Sequence, residues 1–478
     1  GLLSGRLGDE WIRGSRKWTL VSWTFLSIGL LLGARWAYLE LGWGGYWAWD
    51  PVENAAFMPW LVGTAFLHSV MIQEKKGMLK KWNVALIILT FFLAIFGTFI
   101  TRSGIISSVH SFAQSDIGPY FLGFIGFILL FSFGLFILRQ GDLRSENHFD
   151  SILSRESAFL FNNLLFLGAA FSVFLGTIFP IITEVLRGEK ILVGPPYFNR
   201  VNVPMGLVLI LLMGVGPLIS WRRASRQNLI RNFLYPTVFG VLTVVVLFAS
   251  GIREKWALIS FGLCAFVTST VFIEFYRGVR VRSKRGENHV IALFRLVSRN
   301  RRRYGGYIVH LGVVLIVIGI TASSAFVTQK EATLRKGESM SIGKYTLRFD
   351  GLRNYTTDAK HATVATLTVY NSDENIGVMT PEKNVYRYEG NREINQETEI
   401  ALRSTLRDDL YVILSGFDDN GAANFRVLIN PMVSWIWTGG AVLLLGAIVA
   451  MWPSAGERRE EAFIRYSSGI SKDKAVEV

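Results

Sequence analysis

Cysteine is nearly absent from this sequence: Cys264 is the only one in 478 residues, and it falls inside an apolar run. That scarcity excludes a disulfide framework, a CxxC redox pair and a cysteine-based zinc site. The sequence also lacks a phosphate-binding loop and the ordered Ser, His and Asp residues of a hydrolase. If the protein acts on thiols, those thiols belong to a partner.

Charged residues are few, at 18%, whereas hydrophobic residues make up 51% of the chain. Apolar runs of about 20 residues recur, which is the length that a helix needs to cross a bilayer. Because backbone groups in lipid must be paired within their own segment, these runs predict helices. The predicted fold is a polytopic α-helical membrane protein with ten transmembrane helices, at roughly 18–39, 54–73, 82–101, 118–138, 157–179, 204–221, 232–250, 256–276, 305–325 and 431–452.

Positive charge is unevenly distributed in this chain of formal net charge +14. When residue 1 is assigned to the cytoplasm, the segments on that side carry 30 Lys and Arg residues, and the four short loops on the other side carry 6. This asymmetry is the positive-inside pattern and gives the predicted orientation. The basic run 277–303 is therefore expected to anchor the topology at anionic lipid rather than to bind nucleic acid.

One soluble domain is predicted between the last two helices. Residues 326–430 alternate with period two in KYTLRFD, ATVATLTVY, NVYRYE, DLYVILSGF and NFRVLI, with turn residues between these stretches. The pattern predicts a small all-β extracytoplasmic domain, either an antiparallel sheet or a barrel. The other predicted regions are a transmembrane helical region at 1–325, the last transmembrane helix at 431–452 and a cytoplasmic tail at 453–478.

The stretch 43–60 reads WGGYWAWDPVENAAFMPW and is the most unusual in the chain. Trp and Tyr collect at the membrane–water boundary, so an ordinary aromatic belt is one interpretation. The density of rings favours a second interpretation, a platform for a large planar ligand. The glycines would let the backbone approach such a ligand closely. The predicted members of this platform are Trp43, Gly44, Gly45, Tyr46, Trp47 and Trp49.

Two acids follow the aromatic residues, where a helix is predicted to begin. Asp50 and Glu53 could form a paired-carboxylate site of the kind that hydrolases use. Acids three residues apart at a helix start also cap its N-terminus, and capping is the preferred interpretation. Asp50 is nevertheless kept among the candidate ligand-binding residues of the aromatic loop, taken as 41–60.

These residues also carry a family resemblance. WGGYWAWDP resembles the tryptophan-rich signature of haem-handling membrane proteins, and PVENAAFMPWLVGTAFLHS extends the likeness to the CcmF-type haem lyases of cytochrome c maturation. The resemblance continues through TRSGIISSVHSFAQS (101–115), RRYGGYIVHLG (302–312) and TEIALRSTLRDDLYVIL (398–414). Tyr46 departs from it, because many members have tryptophan there. The family's N-terminal portion is also absent, and no signal peptide is found, so we expect further helices before Gly1 in a complete protein.

Two histidines lie within predicted transmembrane helices, where ionisable side chains are costly and usually functional. At about 1.5 Å per residue, His68 lies roughly 9 Å from the inner surface of a core about 30 Å thick, and His310 roughly 7–8 Å from it. Equal depth on antiparallel helices would let them ligate one metal; alternatively, each hydrogen-bonds to a neighbouring carbonyl. Small residues would let backbones or a macrocycle approach closely, namely Gly63, Gly305, Gly306 and Gly312.

The resemblance implies roles for several of these side chains. His68 and His310 match the family's transmembrane ligands of haem b, a bis-histidine site suited to electron transfer. His110, in the outer loop 102–117, is implied as an axial ligand of a substrate haem that lies on the tryptophan-rich loop. Arg35 and Arg102 stand at the expected depth of haem propionates, with snorkelling to the interface as the alternative. A second flanking histidine of the family is missing here, so the other axial bond is expected to come from outside this chain.

As a function, the resemblance implies a haem lyase at the periplasmic face of the bacterial inner membrane. It would join the two haem vinyl groups to the CxxCH cysteines of apocytochrome c as thioethers, while the inner haem b reduces the substrate haem with electrons from quinol. Implied partners are apocytochrome c, a haem chaperone that donates haem, subunits that reduce or present the apocytochrome, and membrane lipid. No side chain is assigned to acid–base catalysis, because proximity and orientation would supply most of the acceleration.

Two alternative functions stay open. A haem transporter of the same superfamily would be smaller and would lack the domain at 326–430. A quinol-oxidising b-type membrane cytochrome would need a second transmembrane histidine pair or a partner, whereas this sequence offers one pair.

Overall fold

The computed structural model describes residues 1–5, 9–105, 117–145, 154–219, 226–387 and 393–453. In this part of the chain, ten helices are long and apolar enough to cross a membrane, which confirms the helical part of the predicted fold. The helices are α1 (Asp9–Glu40), α2 (Pro51–Lys76), α3 (Lys80–Ser103), α4 (Gly118–Leu138), α5 (Arg155–Arg187), α6 (Pro195–Leu218), α7 (Arg226–Ala249), α8 (Lys255–Ser283), the short α9 (His289–Arg299), α10 (Arg301–Ala325) and α11 (Val433–Met451).

The largest boundary differences concern the start of α1, the end of α5 and the start of α6. Helix α6 begins at Pro195, nine residues before the predicted start, because proline fits the first turn of a helix even where the following residues are polar. Its first turn buries Phe198, which is 1% exposed. Helix α5 continues through Pro180 and ends before Gly188, whose φ of 74° suits a helix C-cap. Both extensions lengthen the bundle on the side where the aromatic loop lies.

Helix α9 was not predicted, because it lies within the basic run 277–303. Asn288 caps it by accepting a hydrogen bond from the backbone N–H of Val290 at 2.9 Å. Ala292 and Leu296 on one face are buried, Leu296 against residues of α8 and α10. The run therefore contains an amphipathic helix packed on the bundle.

The soluble domain is a sandwich of two antiparallel sheets, which confirms the all-β class but is neither a single sheet nor a closed barrel. One sheet has the order β1-β10-β9-β8, and the other β2-β3-β4-β6-β7 with β5 paired to β4. Inner-face side chains of both sheets share one buried core, in which the rings of Phe349 and Phe425 lie 5.2 Å apart. The strands are β1 (Thr328–Leu334), β2 (Ser339–Ile342), β3 (Tyr345–Thr356), β4 (Lys360–Asn371), β5 (Glu374–Met379), β6 (Glu382–Arg387), β7 (Glu393–Glu399), β8 (Ala401–Ser404), β9 (Asp408–Phe417) and β10 (Ala423–Pro431).

Helices α10 and α11 flank this domain in sequence and pack backbone to backbone. An added Cβ at Gly305 would lie 2.7 Å from the backbone nitrogen of Ala450, and one at Gly312 would clash with the backbone of Leu443. These two glycines therefore serve the approach of two helices rather than of a macrocycle. Gly306 differs, because an added Cβ there would meet nothing within 4 Å.

The sandwich also packs on α1 and on the aromatic loop. Tyr38 of α1 lies against Tyr411 of β9, with ring centroids 5.1 Å apart, and both side chains are fully buried. Leu428 of β10 belongs to the same cluster, which Tyr46 of the loop and Trp437 of α11 border. The loop is thus held between the helix bundle and the β-sandwich.

Candidate functional site

The aromatic loop ends in a capping box at the start of α2. The Asp50 side chain accepts from the backbone N–H of Val52 at 2.9 Å, and Glu53 accepts from the backbone N–H groups of Asp50 and Ala48 at 3.0 and 2.9 Å. These contacts confirm the preferred capping interpretation of both acids. Pro51 fills the first helical position, which suits a residue without an N–H.

Trp49, the residue before this cap, has an unusual backbone. Its φ of 58° lies in the left-handed region, which a bulky residue seldom adopts. The buried Asn54 side chain donates to the Trp49 carbonyl at 3.0 Å and to Thr177 of α5 at 3.1 Å. Strain of this kind persists where surrounding contacts over-determine the backbone, and it concentrates at functional sites.

Three rings pack edge to face at the start of α2, with interplanar angles of 67–86°. Trp47 contacts Trp49 and Phe57 with centroid distances of 5.8 and 5.6 Å, and Trp49 lies 6.2 Å from Phe57. Trp49 also stacks on Phe198 of α6 at 5.0 Å, and its indole N–H donates to Asn199 at 2.8 Å. We call Trp47, Trp49 and Phe57 the aromatic face; its rings are only partly buried.

Tyr46 points to the other side of the loop. Its ring lies 6.4 Å from both Tyr38 and Trp437, and its hydroxyl is 2.9 Å from that of Ser323 on α10. Burial raises the pKa of Tyr46 above its usual value. The tyrosine that replaces the family's tryptophan thus lies in the contact between loop, helices and sandwich rather than on the aromatic face.

The two glycines of the loop also differ. Gly44 has φ of 81°, and an added Cβ would lie 2.7 Å from a side-chain carbon of Leu428, so the sandwich closes on this point of the loop. Its carbonyl accepts from the Asn430 side chain at 3.1 Å. At Gly45 an added Cβ would meet nothing within 4 Å. Gly44 therefore serves the approach of β10, whereas Gly45 leaves its side of the loop open.

The remaining predicted residues of the outer site lie around this loop or beyond the described residues. Arg35 of α1 approaches the Trp437 ring, 5.7 Å from its centroid, near Tyr46. Arg102 is exposed in the last turn of α3, and Trp43 is half-buried. His110 lies outside the described residues, so its role as an axial ligand stays a prediction.

The structure brings His68 and His310 together inside the helix bundle. Their ring centroids are 6.4 Å apart with an interplanar angle of 79°. Nδ1 of His68 lies 2.8 Å from the Asn162 side-chain amide, while Nδ1 of His310 is buried without a hydrogen-bond partner among the described residues. The contact to a neighbouring carbonyl, the alternative drawn from the sequence, is therefore not observed at Nδ1 of either ring.

A two-histidine arrangement limits which metals could bind. No group of three or more His, Cys, Asp or Glu side chains suited to a metal ion occurs within the residues that the structure describes. Two imidazoles alone suit a metal that brings its other ligands with it, as haem iron does. The aromatic surroundings, with Phe159 and Phe166 at 5.9 and 6.0 Å from the His68 ring, suit a macrocycle.

Several residues of these sites were not predicted. Asn162 carried a signal, because Asn162 and Asn163 are the two amide residues of a largely apolar predicted span. Phe57, Phe198 and Asn430 carried none, because aromatic and amide residues in such positions are common and only the packing of α2, α6 and β10 gives them their contacts.

Comparisons with known proteins agree with this architecture. A family model for cytochrome C assembly proteins matches residues 4–106, and one for the CcmF C-terminal beta-sandwich matches residues 325–431. The "Cytochrome c-type biogenesis protein CcmF" of Pseudomonas aeruginosa is 38% identical over 98% of this chain and 70% of that protein. Its namesake in Escherichia coli K12 is 34% identical over 96% and 68%.

A solved structure is also similar. It is described as "Cytochrome c Heme Lyase CcmF" and superposes with a TM-score of 0.76 at 33% identity, over 95% of this chain and 68% of that one. The chain thus spans about two thirds of the length of these relatives. Identity of this extent, together with both family models, shows that the chain belongs to the CcmF family of cytochrome c biogenesis proteins.

Proposed function

We propose that this chain is the part of a haem lyase that holds haem and attaches it to apocytochrome c. One observation carries the proposal: α2 bears both Phe57 of the aromatic face and His68 of the histidine pair. Eleven residues separate them, or about 16 Å along the helix. An interfacial aromatic belt would require no pair of metal ligands at a set distance from it. A lyase that also reduces its substrate haem requires both an aromatic face and a metal-ligand pair.

In this proposal the aromatic face orients the substrate haem. Trp47, Trp49 and Phe57 offer apolar ring surface next to the open side of the loop at Gly45. In each attachment a cysteine S–H adds across a vinyl C=C: a carbon–sulfur bond forms, and the thiol proton passes to the other vinyl carbon. No net oxidation occurs, so the protein contributes mainly orientation of thiol and vinyl group.

The histidine pair fits a resident haem b. Two metal–nitrogen bonds of about 2 Å each would fit between rings at the observed separation. The Asn162 atom nearest Nδ1 of His68 is the amide nitrogen Nδ2, at 2.8 Å. With the amide turned, Oδ1 would accept from Nδ1–H and leave the other ring nitrogen free to bind iron. When bound, this haem would supply the electron that keeps substrate haem ferrous.

The setting of the reaction follows from the charge distribution. The excess of Lys and Arg on one side predicts that the aromatic loop and the sandwich face the periplasm of a bacterial inner membrane. Apocytochrome c, a haem-donating chaperone and thiol-reducing or apocytochrome-presenting subunits would act on that face, and quinol would donate electrons to haem b.

The proposal is tested by mixing purified protein, haem donor, reductant and a CxxCH apocytochrome, and recording the pyridine haemochrome band of thioether-linked haem. Replacing Trp47 or Trp49 with Ala should lower product formation several-fold each, since one aromatic contact contributes about 1 kcal/mol. Trp256→Leu is the matched control, because this tryptophan is exposed on α8. If all tryptophans of the loop can be changed to Leu with full activity, the loop does not bind haem and is only an interfacial aromatic belt.

The histidine pair taken alone also favours a quinol-oxidising b-type cytochrome. Such a protein would show a quinol-reducible haem but form no thioether product in the same assay. A transporter would bind and release haem with the band of unattached haem. The three functions therefore give three different outcomes in one experiment.

A further inference from the structure

Three basic residues stand two helical turns from the histidine pair. Lys75 follows His68 by seven residues on α2, Arg303 precedes His310 by seven on α10, and Arg155 precedes Asn162 by seven on α5. Seven residues bring a side chain back to nearly the same helix face, about 10 Å along the axis. Since α2 ends and α5 and α10 begin here, all three lie at one end of the bundle, which we call the basic end.

Lys75 and Arg303 are exposed at this end of the bundle, whereas Arg155 reaches into the interior. Arg155 is half-buried, and its Nε donates to the carbonyl of Ile219 at the end of α6, 3.1 Å away. This cation is therefore held by the protein interior rather than extended into lipid headgroups.

Carboxylates at the basic end are already shared between arginines. Glu274 of α8, 9% exposed, accepts from Arg303 and lies 3.6 Å from Arg277. Glu74 lies 2.5 Å from Arg16 and 3.6 Å from Arg302. Each of these two acids faces two arginines, and the buried Glu156 adjoins Arg155 in sequence. Among the described residues of the basic end, cations therefore outnumber carboxylates.

Space for a ligand adjoins these cations. Gly306 lies between Arg303 and His310 on the same side of α10, four residues before the histidine. An added Cβ at Gly306 would meet nothing within 4 Å, although its neighbour Gly305 is in tight contact with α11. The strip from His310 to Arg303 therefore presents a metal ligand, an open stretch and a cation in succession.

We propose that Lys75, Arg155 and Arg303 bind the two carboxylates of the haem held between His68 and His310, so that its carboxylate edge faces the basic end. The inference rests on the proposed haem b. Burying carboxylates in a bundle is costly unless cations pair with them, and guanidinium groups pair with carboxylates in a bidentate way. A cation that only anchored the topology would not need to be held against the protein interior, as Arg155 is.

The test is reconstitution of haem-free protein with either iron protoporphyrin IX or its dimethyl ester, which lacks both carboxylates. Low-spin absorbance is measured relative to His310→Gly, so that only the inner site is counted. Wild type should bind the free acid about tenfold or more tighter than the ester, the size expected for a hydrogen bond to a charged group. In Arg155→Gln, the ratio of the affinity for the free acid to that for the ester should fall about tenfold.

Two further variants control for folding and for general charge. Arg303→Gln is combined with Glu274→Gln, so that no buried carboxylate is left unpaired, and should also reduce the preference for the free acid. Arg295→Gln removes an exposed cation of α9 that pairs with Glu287 at 3.2 Å, and it should keep the wild-type preference.

The outcomes separate this inference from the proposed function. If neither porphyrin gives a low-spin spectrum in wild type, the inner haem site itself is wrong, and the inference fails with it. If acid and ester bind equally well as low-spin complexes, the haem site stands and the carboxylate site is overturned. An equal loss of preference in Arg295→Gln would also overturn it, since unspecific surface charge would then explain the effect.

Discussion

Replacing Asn430 with Leu should loosen the aromatic loop without unfolding the β-sandwich. The Asn430 side chain is 3% exposed and donates to the Tyr38 hydroxyl at 3.0 Å and to the Gly44 carbonyl at 3.1 Å. Tyr38 in turn donates to Asp409 at 3.1 Å. This chain of hydrogen bonds joins the sandwich, α1 and the loop. Leu has the same number of side-chain heavy atoms as Asn, branched at the same carbon, but offers no donor.

The magnitude follows from the groups left without a donor. In Asn430→Leu the partly buried Gly44 carbonyl and the buried Tyr38 oxygen each lose one donor, at about 1–3 kcal/mol for each unmade bond. Local opening of the loop should therefore become easier by at least about 2 kcal/mol. Since 1.4 kcal/mol is a factor of ten, amide exchange in 42–49 should accelerate about 30-fold.

Hydrogen–deuterium exchange of the purified protein measures this directly, with the interior of α5 as internal reference. Asn424→Leu is the matched control, because this asparagine is exposed on the same strand β10 and its replacement should shift stability by no more than about 0.5 kcal/mol. Unchanged exchange at 42–49 in Asn430→Leu, with the sandwich still folded, would refute the view that Asn430 holds the loop.

Three other predictions concern the histidine pair, the membrane topology and the packing of α10 on α11. His310→Ala should abolish the low-spin haem b spectrum whereas His361→Ala, in the β-sandwich, should not; an undiminished α-band in the first variant would exclude bis-histidine ligation. Alkaline phosphatase fused after Asn371 should be active and a fusion in the loop before α3 inactive, and the reverse result would invert the topology. Gly312→Ala should lower the midpoint of thermal unfolding, because overpacking costs about 1–3 kcal/mol, whereas Gly306→Ala in haem-free protein should leave it nearly unchanged.

Hydropathy predicted the helices well because the requirement that it detects is imposed by lipid on every spanning segment. All ten predicted spans correspond to helices of the described structure. The start of α6 was missed because its first turns are polar and are stabilised by burial of Phe198 between helices rather than by lipid. The length and hydropathy of a segment thus predict its contact with lipid, but they do not predict helix ends that are stabilised by contact with other helices.

The β-sandwich was predicted in its centre and missed at its edges. The five predicted strands correspond to β3, β4, β6, β9 and β10, and all of these except β6 contribute side chains to the shared core. Strand β1 is almost wholly exposed apart from Leu334, and β5 is exposed except for Ile376 and Met379. Such strands are held by their pairing to a neighbour, and a period of two does not reveal that pairing.

For the histidine pair, the sequence predicted the depth of each residue in the membrane, but it did not predict which helices lie beside them. Counting residues from the helix ends placed His68 and His310 at one depth, and the structure adds that their rings meet. Which helix stands beside α2 at that depth depends on side-chain packing across the bundle. The contact with Asn162 of α5 therefore emerged only from the structure.

The loop between α1 and α2 has two independent attachments, and each has a separate consequence for function. At Asp50 the capping box ties it to α2, so the cap and the aromatic face keep a set distance from His68 along one helix. At Gly44 the sandwich holds it through Asn430 and Leu428. We expect a change at Gly44 to alter the presentation of the aromatic face and to leave the histidine pair in place. The reason is that α2, which carries His68, begins after Asp50 and is capped independently of Gly44. In the proposed function, the β-sandwich would therefore influence attachment of haem to apocytochrome c without changing the spectrum of the inner haem.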